Sequence, residues 1–330
     1  MGNKIVVAEN KKISIMTLNI NTGHGNSKNL VQKLKEKELI DNLNKISEVI
    51  KKERPDVVCL QEVDINWRHT YNINQAIYIA EKSGYKHFAY FVFHRRIKGK
   101  LLNKVLNVFY KNAYISTAFD RDLGMAILSN YEIKNTGFYR FGNHKNEKLD
   151  WIKNVLEETK GYMFADIVKD NVVYTIINVH LMNDILGIIR GIFKGEFRFK
   201  GGKFREKQVK ILINHLEEKF KNKNLIVAGD FNSIPQHLNK TYYELRPNGY
   251  EVIDDYSDDK AIETFGGYWK GLGYSLPPVF NMLNCEDYFT FPSRNPLRPL
   301  DYIFIPELKE YKVIKDVVSD HLAVIAEGCC

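Results

Sequence analysis

Short apolar stretches that each meet a carboxylate, an amide or an imidazole at one end recur along this 330-residue chain. Ile13–Asn19 alternates apolar with smaller or polar residues, the period of a strand, and ends on Asn19. Residues 57–60 are β-branched and apolar and run into Gln61-Glu62-Val63-Asp64. Val172–His180 ends on Asn178-Val179-His180, and residues 224–228 lead into Gly229-Asp230-Phe231-Asn232. Asp301 opens a strand over 301–305, and Ser319-Asp320-His321 precedes another over 322–327. Strands of this kind pack their apolar middles together and leave their polar ends at a rim.

Helices alternate with these strands. Residues 39–52 place Leu39, Leu43, Ile46, Val49 and Ile50 on one face, and Pro55 helps to stop that helix. A second helix is expected over 73–83, ended by Gly84, and a third over 205–219, with Val209, Leu212, Ile213 and Leu216 aligned. Further strands are expected at 87–93, 125–129 and 161–168, and Asp170-Asn171 reads as a hairpin turn. The mixture predicts sheets packed face to face with helices outside, rather than a pure βαβ repeat. No linker or internal repeat divides the chain, so a single domain over 1–330 is expected, with its core at about 13–327.

No run approaches the roughly 18 apolar residues of a membrane-spanning helix, and the first nine residues hold too short an apolar run for a secretory signal. Four cysteines are too few for a disulfide scaffold; Cys59 reads as a reduced core residue, and no Cys-x-x-Cys spacing points to zinc. Cys329-Cys330 reads as a frayed tail; lipid attachment is the other reading, although the pair lacks the C-a-a-X form. These features predict a cytoplasmic monomer.

The net charge of +8 is uneven. Residues 94–111 carry Arg95, Arg96, Lys98, Lys100, Lys104 and Lys111 without an acid. Residues 185–205 carry Arg190, Lys194, Arg198, Lys200, Lys203 and Arg205 against Glu196. The remainder is close to neutral. Basicity confined to two segments points to an anionic partner, either a phosphodiester backbone or lipid headgroups.

Each polar strand ending is ordinary alone, since Asp and Asn bond their own backbone in turns and a strand-end histidine is commonly satisfied structurally. Their recurrence in a fixed order is informative. Met16-Thr17-Leu18-Asn19, Pro55-Asp56-Val57-Val58-Cys59-Leu60-Gln61-Glu62-Val63-Asp64, Asn178-Val179-His180-Leu181, Gly229-Asp230-Phe231-Asn232-Ser233-Ile234-Pro235, Leu300-Asp301-Tyr302-Ile303-Phe304 and Ser319-Asp320-His321 resemble the signature regions of the endonuclease/exonuclease/phosphatase superfamily. That group includes deoxyribonuclease I, abasic-site endonucleases, deadenylases, neutral sphingomyelinases and inositol polyphosphate phosphatases. The resemblance bears strongly on fold and reaction type and weakly on substrate.

It implies a four-layer α/β/β/α sandwich, two packed mixed sheets flanked by helices, that hydrolyses phosphate esters with Mg²⁺, Mn²⁺ serving as substitute. Glu62, with Asn19 and Asp320 near, offers oxygen ligands suited to a hard cation. By the same resemblance His321 is the proton acceptor for an attacking water and Asp301 orients it. Asp230 positions the water or a second cation, Asn232 hydrogen-bonds the phosphoryl group, and His180 contacts phosphate. Arg68, downstream of the Gln-Glu-Val-Asp strand together with Gln75, is a candidate substrate contact or a surface arginine. Thr17 and Asn21 receive no role.

The two basic segments, near 94–112 and 184–205, interrupt the family pattern. Ile97, Leu101, Leu102, Val105, Leu106 and Phe109 fall on one helical face among lysines, and 185–194 mixes bulky apolar and basic residues. Contact with an anionic membrane surface through 94–112 and 185–205 is therefore expected, making the protein peripheral to the membrane; helices packed on the body are the plainer reading. Residues 266–274 read as a glycine-aromatic loop able to wedge into headgroups or stack on bases. The favoured function is a phosphodiesterase or phosphatase acting on a lipid or small phosphoester, with a nuclease as the alternative and a non-catalytic scaffold disfavoured. Val63-Asp64 stands where abasic endonucleases usually have Thr-Lys, which counts against DNA repair.

Overall fold

The computed structural model describes residues 12–26, 34–94, 122–141, 160–182, 201–238, 241–245, 251–255, 259–281 and 285–330. Of the two basic insertions, only His94 and residues 201–205 are among them, so the expected membrane-facing stretches lie outside the described residues.

One sheet holds β1 (Ile13–Asn19), β2 (Val57–Asp64), β3 (His87–His94), β4 (Leu123–Ser129), β12 (Glu307–Val313) and β13 (Val324–Cys329), in the order β12-β13-β1-β2-β4-β3. The other holds β5 (Glu132–Arg140), β6 (Gly161–Lys169), β7 (Val172–His180), β8 (Asn224–Asp230) and β11 (Asp301–Phe304), in the order β11-β8-β7-β6-β5. Among the described residues only the β1–β2 and β7–β8 pairs are parallel. A separate antiparallel pair joins β9 (Thr241–Leu245) and β10 (Glu251–Asp255). The described helices are α1 (Glu36–Glu53), α2 (Gln75–Ser83), α3 (Gly201–Lys219) and α4 (Ala261–Gly271).

Strand alternation sorts the apolar residues into three layers. Ile13, Ile15, Val57, Cys59, Ile176, Ile226, Ala228 and Ile303 meet between the sheets. Met16, Leu18, Val58 and Leu60, on the opposite face of β1 and β2, pack with Leu39, Ile46 and Ile79 of α1 and α2. Ile177, Val179, Val227 and Phe304 pack with Val209, Leu212, Phe265 and Trp269 of α3 and α4. The result is the expected α/β/β/α sandwich. None of the described helices is long and apolar enough to cross a membrane.

Local signals explain the boundaries. Asn74 caps α2 by accepting from the Ile77 N–H at 3.2 Å, and Gly84 ends it in the left-handed region at φ 84°. Gly229, at φ 147°, lets β8 lie against β7: a Cβ there would stand 2.0 Å from the Val179 carbonyl oxygen.

Several expectations need correction. Of residues 266–274 only 272–274 lie outside a helix; α4 covers Ala261–Gly271, and Ala261, Ile262, Phe265 and Trp269 form its buried face, with Trp269 0 % exposed. Arg205 is not a surface cation: its side chain is fully buried, and Nε donates to Asp259 Oδ2 at 2.7 Å. Cys329 is not in a frayed tail but is buried in β13 opposite Glu307. The strands at 132–140 and 307–313 escape sequence reading because both are sheet edges, largely exposed and mixed in polarity.

Candidate active site

The alternation that fills the inter-sheet layer with isoleucine also builds the site. Ile13, Ile15, Thr17 and Asn19 share one face of β1, as do Ile176, Asn178 and His180 on β7, Ile226, Ala228 and Asp230 on β8, and Ile303 and Asp301 on β11. At one end of the sandwich the same inward positions change from apolar to polar. Strand register then lines the polar residues up: Asp301 opposes Asp230, Asp230 opposes His180, and His180 opposes Gly161, while Asn19 opposes Gln61 in the other sheet.

A buried amide network floors this region. Gln61 Nε2 donates to Thr17 Oγ1 at 2.9 Å and to Asn178 Oδ1 at 2.7 Å, and Asn178 Nδ2 donates to the carbonyls of Leu60 and Ala126. These bonds tie the two sheets together directly beneath the charged residues.

Glu62 would face the helices if β2 kept strict alternation. Between Leu60 and Val63, however, β2 advances three residues while β4 advances two, so Glu62 sits in a bulge, at φ 52°. Val63 thereby returns to the helix side with Leu60, and the Glu62 carboxylate is turned into the site, 3.7 Å from both His180 Nε2 and Lys160 Nζ. Positive φ in a non-glycine residue is costly and recurs here at Asn21, Thr22 and Asn232.

The remaining contacts converge on Asp230. Its Oδ2 accepts from Asn19 Nδ2 at 3.0 Å and lies 3.5 Å from His180 Nε2 and 3.9 Å from His321 Nε2. Its Oδ1 accepts the backbone N–H of Asn232 at 2.9 Å, and Asn232 Nδ2 donates to the Leu181 carbonyl. His321 Nδ1 lies 2.8 Å from Asp301 Oδ2. The ring of Phe291 stands 4.8 Å from the His321 ring, centre to centre.

Burial dominates the electrostatics. It raises the Asp230 carboxyl, with Asp301 adding to the shift and His321 and Lys160 opposing it. Burial and the nearby Glu62 charge lift Asp320 to about 6 against the pull of His321. Burial would lower His321, but Asp301 and Asp230 outweigh it and carry the imidazole to about 10. Burial, followed by repulsion from Lys160, drives His180 well below the ordinary histidine value, so that ring is neutral.

This is a surplus of buried carboxylate, and it fits a divalent cation. The Asp301 Oδ1 atom is buried without a hydrogen-bond partner among the described residues. Asp230, Asp301 and His321 bring potential ligand atoms within 4.8 Å of one another. Glu62 and Asp320, two of the three expected ligands, are close enough for one to shift the other, and the third, Asn19, bonds Asp230. The donors are mainly oxygen, which favours Mg²⁺ or Mn²⁺ over softer ions.

The expected residues therefore gather, with one exception and one addition. Arg68 is exposed on a short turn after β2, outside the contacts that join the others. Gln75 has a structural part: its Oε1 accepts the Asp64 N–H and its Nε2 donates to the Thr22 carbonyl. The addition is Lys160, 5 % exposed, whose Nζ lies 2.6 Å from His180 Nε2. A signal for it existed. Counting outward from the Asp170-Asn171 turn pairs Gly161 with His180 and so places Lys160 beside that histidine.

No curated protein shows significant sequence similarity to the chain. Among solved structures, an endonuclease/exonuclease/phosphatase from Beutenbergia cavernae DSM 12333 superposes with TM-score 0.63 at 15% identity, covering 97% of this chain and 72% of that one. D. rerio TDP2 complexed with single strand DNA product gives TM-score 0.53 at 14% identity, covering 96% and 98%. The 3′ phosphatase NExo (D146N) from Neisseria, bound to product DNA hairpin, gives 0.56 at 15% identity, covering 96% and 100%. These likenesses establish a shared fold. The family model for the Endonuclease/Exonuclease/phosphatase family matches residues 16–321, from the first strand to the histidine beside Asp301, and the chain belongs to that family.

Proposed function

We propose that this protein is a divalent-cation-dependent hydrolase of phosphate esters, a phosphodiesterase or phosphatase in which water attacks phosphorus in line. The observation that carries the reading is the convergence of Asp230, Asp301 and His321 from three separate parts of the chain. Mg²⁺ held by Glu62, Asp320 and Asn19 would supply a Lewis acid toward a phosphoryl oxygen and offset charge on the leaving oxygen.

The chain's own groups divide the remaining work. A water hydrogen-bonded to both Asp230 Oδ2 and His321 Nε2 is within reach of a base. Asp301 holds Nδ1 of that ring and leaves Nε2 to face the water. His321 accepts a proton near neutrality only when the carboxylate charge around it is offset, because those carboxylates hold its own proton on. Asn19 and the Asn232 N–H fix both oxygens of Asp230. His180, being neutral, can approach an anionic oxygen without changing the charge balance.

For substrate, the reading is a lipid or small phosphoester at an anionic surface, supported by the basic, apolar composition of 94–112 and 185–205. Cleavage of DNA or RNA is a second reading, supported by the two similar proteins with bound DNA product. Purified protein would be assayed on bis(p-nitrophenyl) phosphate, sphingomyelin and anionic phospholipid vesicles, inositol phosphates, plasmid and oligoadenylate, with Mg²⁺ and with EDTA. Hydrolysis abolished by EDTA and restored by Mg²⁺ is expected. Plasmid cleavage without vesicle binding would remove the lipid reading, and no turnover on any substrate would remove the hydrolase.

A further inference from the structure

Resting on the cation reading above, we propose that Gln75 is a positioning residue for the site. Its buried side-chain amide joins the two turns that aim Asn19 and Glu62, and so sets how tightly those residues together hold a divalent cation.

β1 and β2 are parallel neighbours whose ladder carries Asn19 opposite Gln61, and the Ile20 N–H continues it to the Gln61 carbonyl at 3.0 Å. Beyond that point both segments leave extended geometry. After β1, Asn21, Thr22 and Gly23 follow one another at φ 46°, 51° and 75°, and in β2 Glu62 turns at φ 52°. Non-glycine backbone in this region is costly and persists only where its surroundings impose it. The Asn21 N–H donates to Asn19 Oδ1 at 3.0 Å, so the first turn orients the amide whose Nδ2 reaches Asp230. The bulge in β2 orients the Glu62 carboxylate, two residues before Asp64.

Gln75 bridges these two segments. Its Oε1 accepts the Asp64 N–H at 3.0 Å, and its Nε2 donates to the Thr22 carbonyl at 2.7 Å. One acceptor and one donor are what a peptide group supplies in a ladder, so the side chain stands in for backbone pairing where the register of the two strands ends. The residue is 0 % exposed and opens α2, whose Ala76, Ile79 and Ala80 lie in one apolar layer with Leu18 and Leu60. Gly23 fits closely against it: a Cβ there would stand 3.1 Å from Gln75 Nε2 and 2.8 Å from Leu39 Cδ1. Asn42 Nδ2 also donates to the Gly23 carbonyl, at 3.2 Å, which ties the first turn to α1. Gln75 instead ties that turn to the strand that carries Glu62. Groups that orient metal ligands from behind commonly change affinity by about 10–100-fold when removed.

The test compares wild type, Gln75→Met and a control for general loosening, Thr175→Val. The control removes a buried hydroxyl that donates to Asp166 at 2.6 Å, five positions before His180 on β7. Mn²⁺ affinity is measured by calorimetry, backbone amide exchange on the cation-free protein, and turnover of bis(p-nitrophenyl) phosphate as Mn²⁺ is raised. Gln75→Met is expected to weaken Mn²⁺ binding about tenfold or more. The Mn²⁺ needed for half-maximal turnover should rise by a similar factor, while kcat at saturating Mn²⁺ falls less. Amide exchange at Asn21 and Asp64 should quicken about tenfold or more, with Ile176 and Ile177 unchanged. Thr175→Val should lower the melting temperature without moving Mn²⁺ affinity. Unchanged Mn²⁺ affinity in folded Gln75→Met overturns the proposal, as does an equal weakening in Thr175→Val, which marks a loss of overall stability as the cause. If Gln75→Met fails to fold, Gln75→Asn, one methylene shorter, replaces it under the same criteria. If wild type binds no Mn²⁺, the cation reading fails separately, and the exchange rates at Asn21 and Asp64 still decide whether Gln75 joins the two turns.

Discussion

Nδ1 of His321 lies 2.8 Å from Oδ2 of Asp301, and both side chains are buried, although 20 residues separate them along the chain. The bond fixes the ring so that Nε2 points toward Asp230, and it also holds the proton that the ring carries at rest. His321→Ala should lower kcat by about 10²–10⁴. Asp301→Asn keeps the shape and loses the charge, and should cost at least about tenfold in kcat. Wild-type turnover in His321→Ala would refute the assignment of the base.

The same cluster makes the cation-free protein sensitive to pH in a definite direction. Folded His321 keeps its proton to about 10, while an unfolded histidine loses it near 6.5, so the folded state binds the extra proton between those values. That contribution is complete below 6.5 and is lost as pH rises toward 10. Asp320, raised from 3.8 to about 6, adds a loss in the same direction at lower pH. EDTA-treated protein should therefore melt at progressively lower temperature from about pH 5 to about pH 9. Mg²⁺ or Mn²⁺ should raise the melting temperature more at the alkaline end, because binding favours the ionised cluster. A flat profile without cation, or a cation effect larger in acid, would contradict the charge balance described above.

Phe291 packs on His321, and the Arg298 guanidinium lies 4.9 Å from the centre of the same Phe291 ring. The loop that carries Phe291 grips both flanks of the histidine: the Ser293 N–H donates to the Asp320 carbonyl and the Leu322 N–H donates to the Thr290 carbonyl, each at 2.8 Å. Phe291→Leu should remove about 0.5–1.5 kcal/mol of ring packing and lower kcat several-fold through a less well held imidazole. Phe291→Tyr should retain most activity. Equal kcat values for wild type and Phe291→Leu would show that the stack does not position the base.

Arg205 and Asp259 form an ion pair with no exposed side-chain surface, and Arg205 also donates to the Met182 carbonyl two residues beyond His180. Arg205→Met leaves a buried carboxylate uncompensated and should destabilise the fold by about 3–5 kcal/mol in urea titration. Arg205→Met with Asp259→Leu should recover much of that loss. Comparable stability of the single and double variants would mean that the pair is not coupled.

The strands that carry the site are legible one by one because each is a short β-branched or alternating run with a polar residue at one end. Val172–His180 is found with both boundaries correct. What escapes is of a different physical kind. The edge strands at 132–140 and 307–313 bury too little of themselves to show a period. The aromatic face of 261–271 is misjudged because its glycines suggest a loop, whereas Gly266 makes room for the Phe280 ring. Arg205 counts toward a basic surface because a charge count carries no information about burial.

Asn19, Glu62, His180, Asp230, Asp301 and His321 can each be picked out as chemistry-bearing residues from local pattern, since residue type and strand period are properties of neighbouring positions. Their distances cannot. The bulge that turns Glu62 inward, the register that aligns Asp301, Asp230 and His180 across three strands, and the burial that sets their charge states all depend on contacts between segments far apart in the chain. Lys160 lies between the two kinds of knowledge: a hairpin count places it beside His180, but only the closed sandwich buries it within 3.7 Å of Glu62.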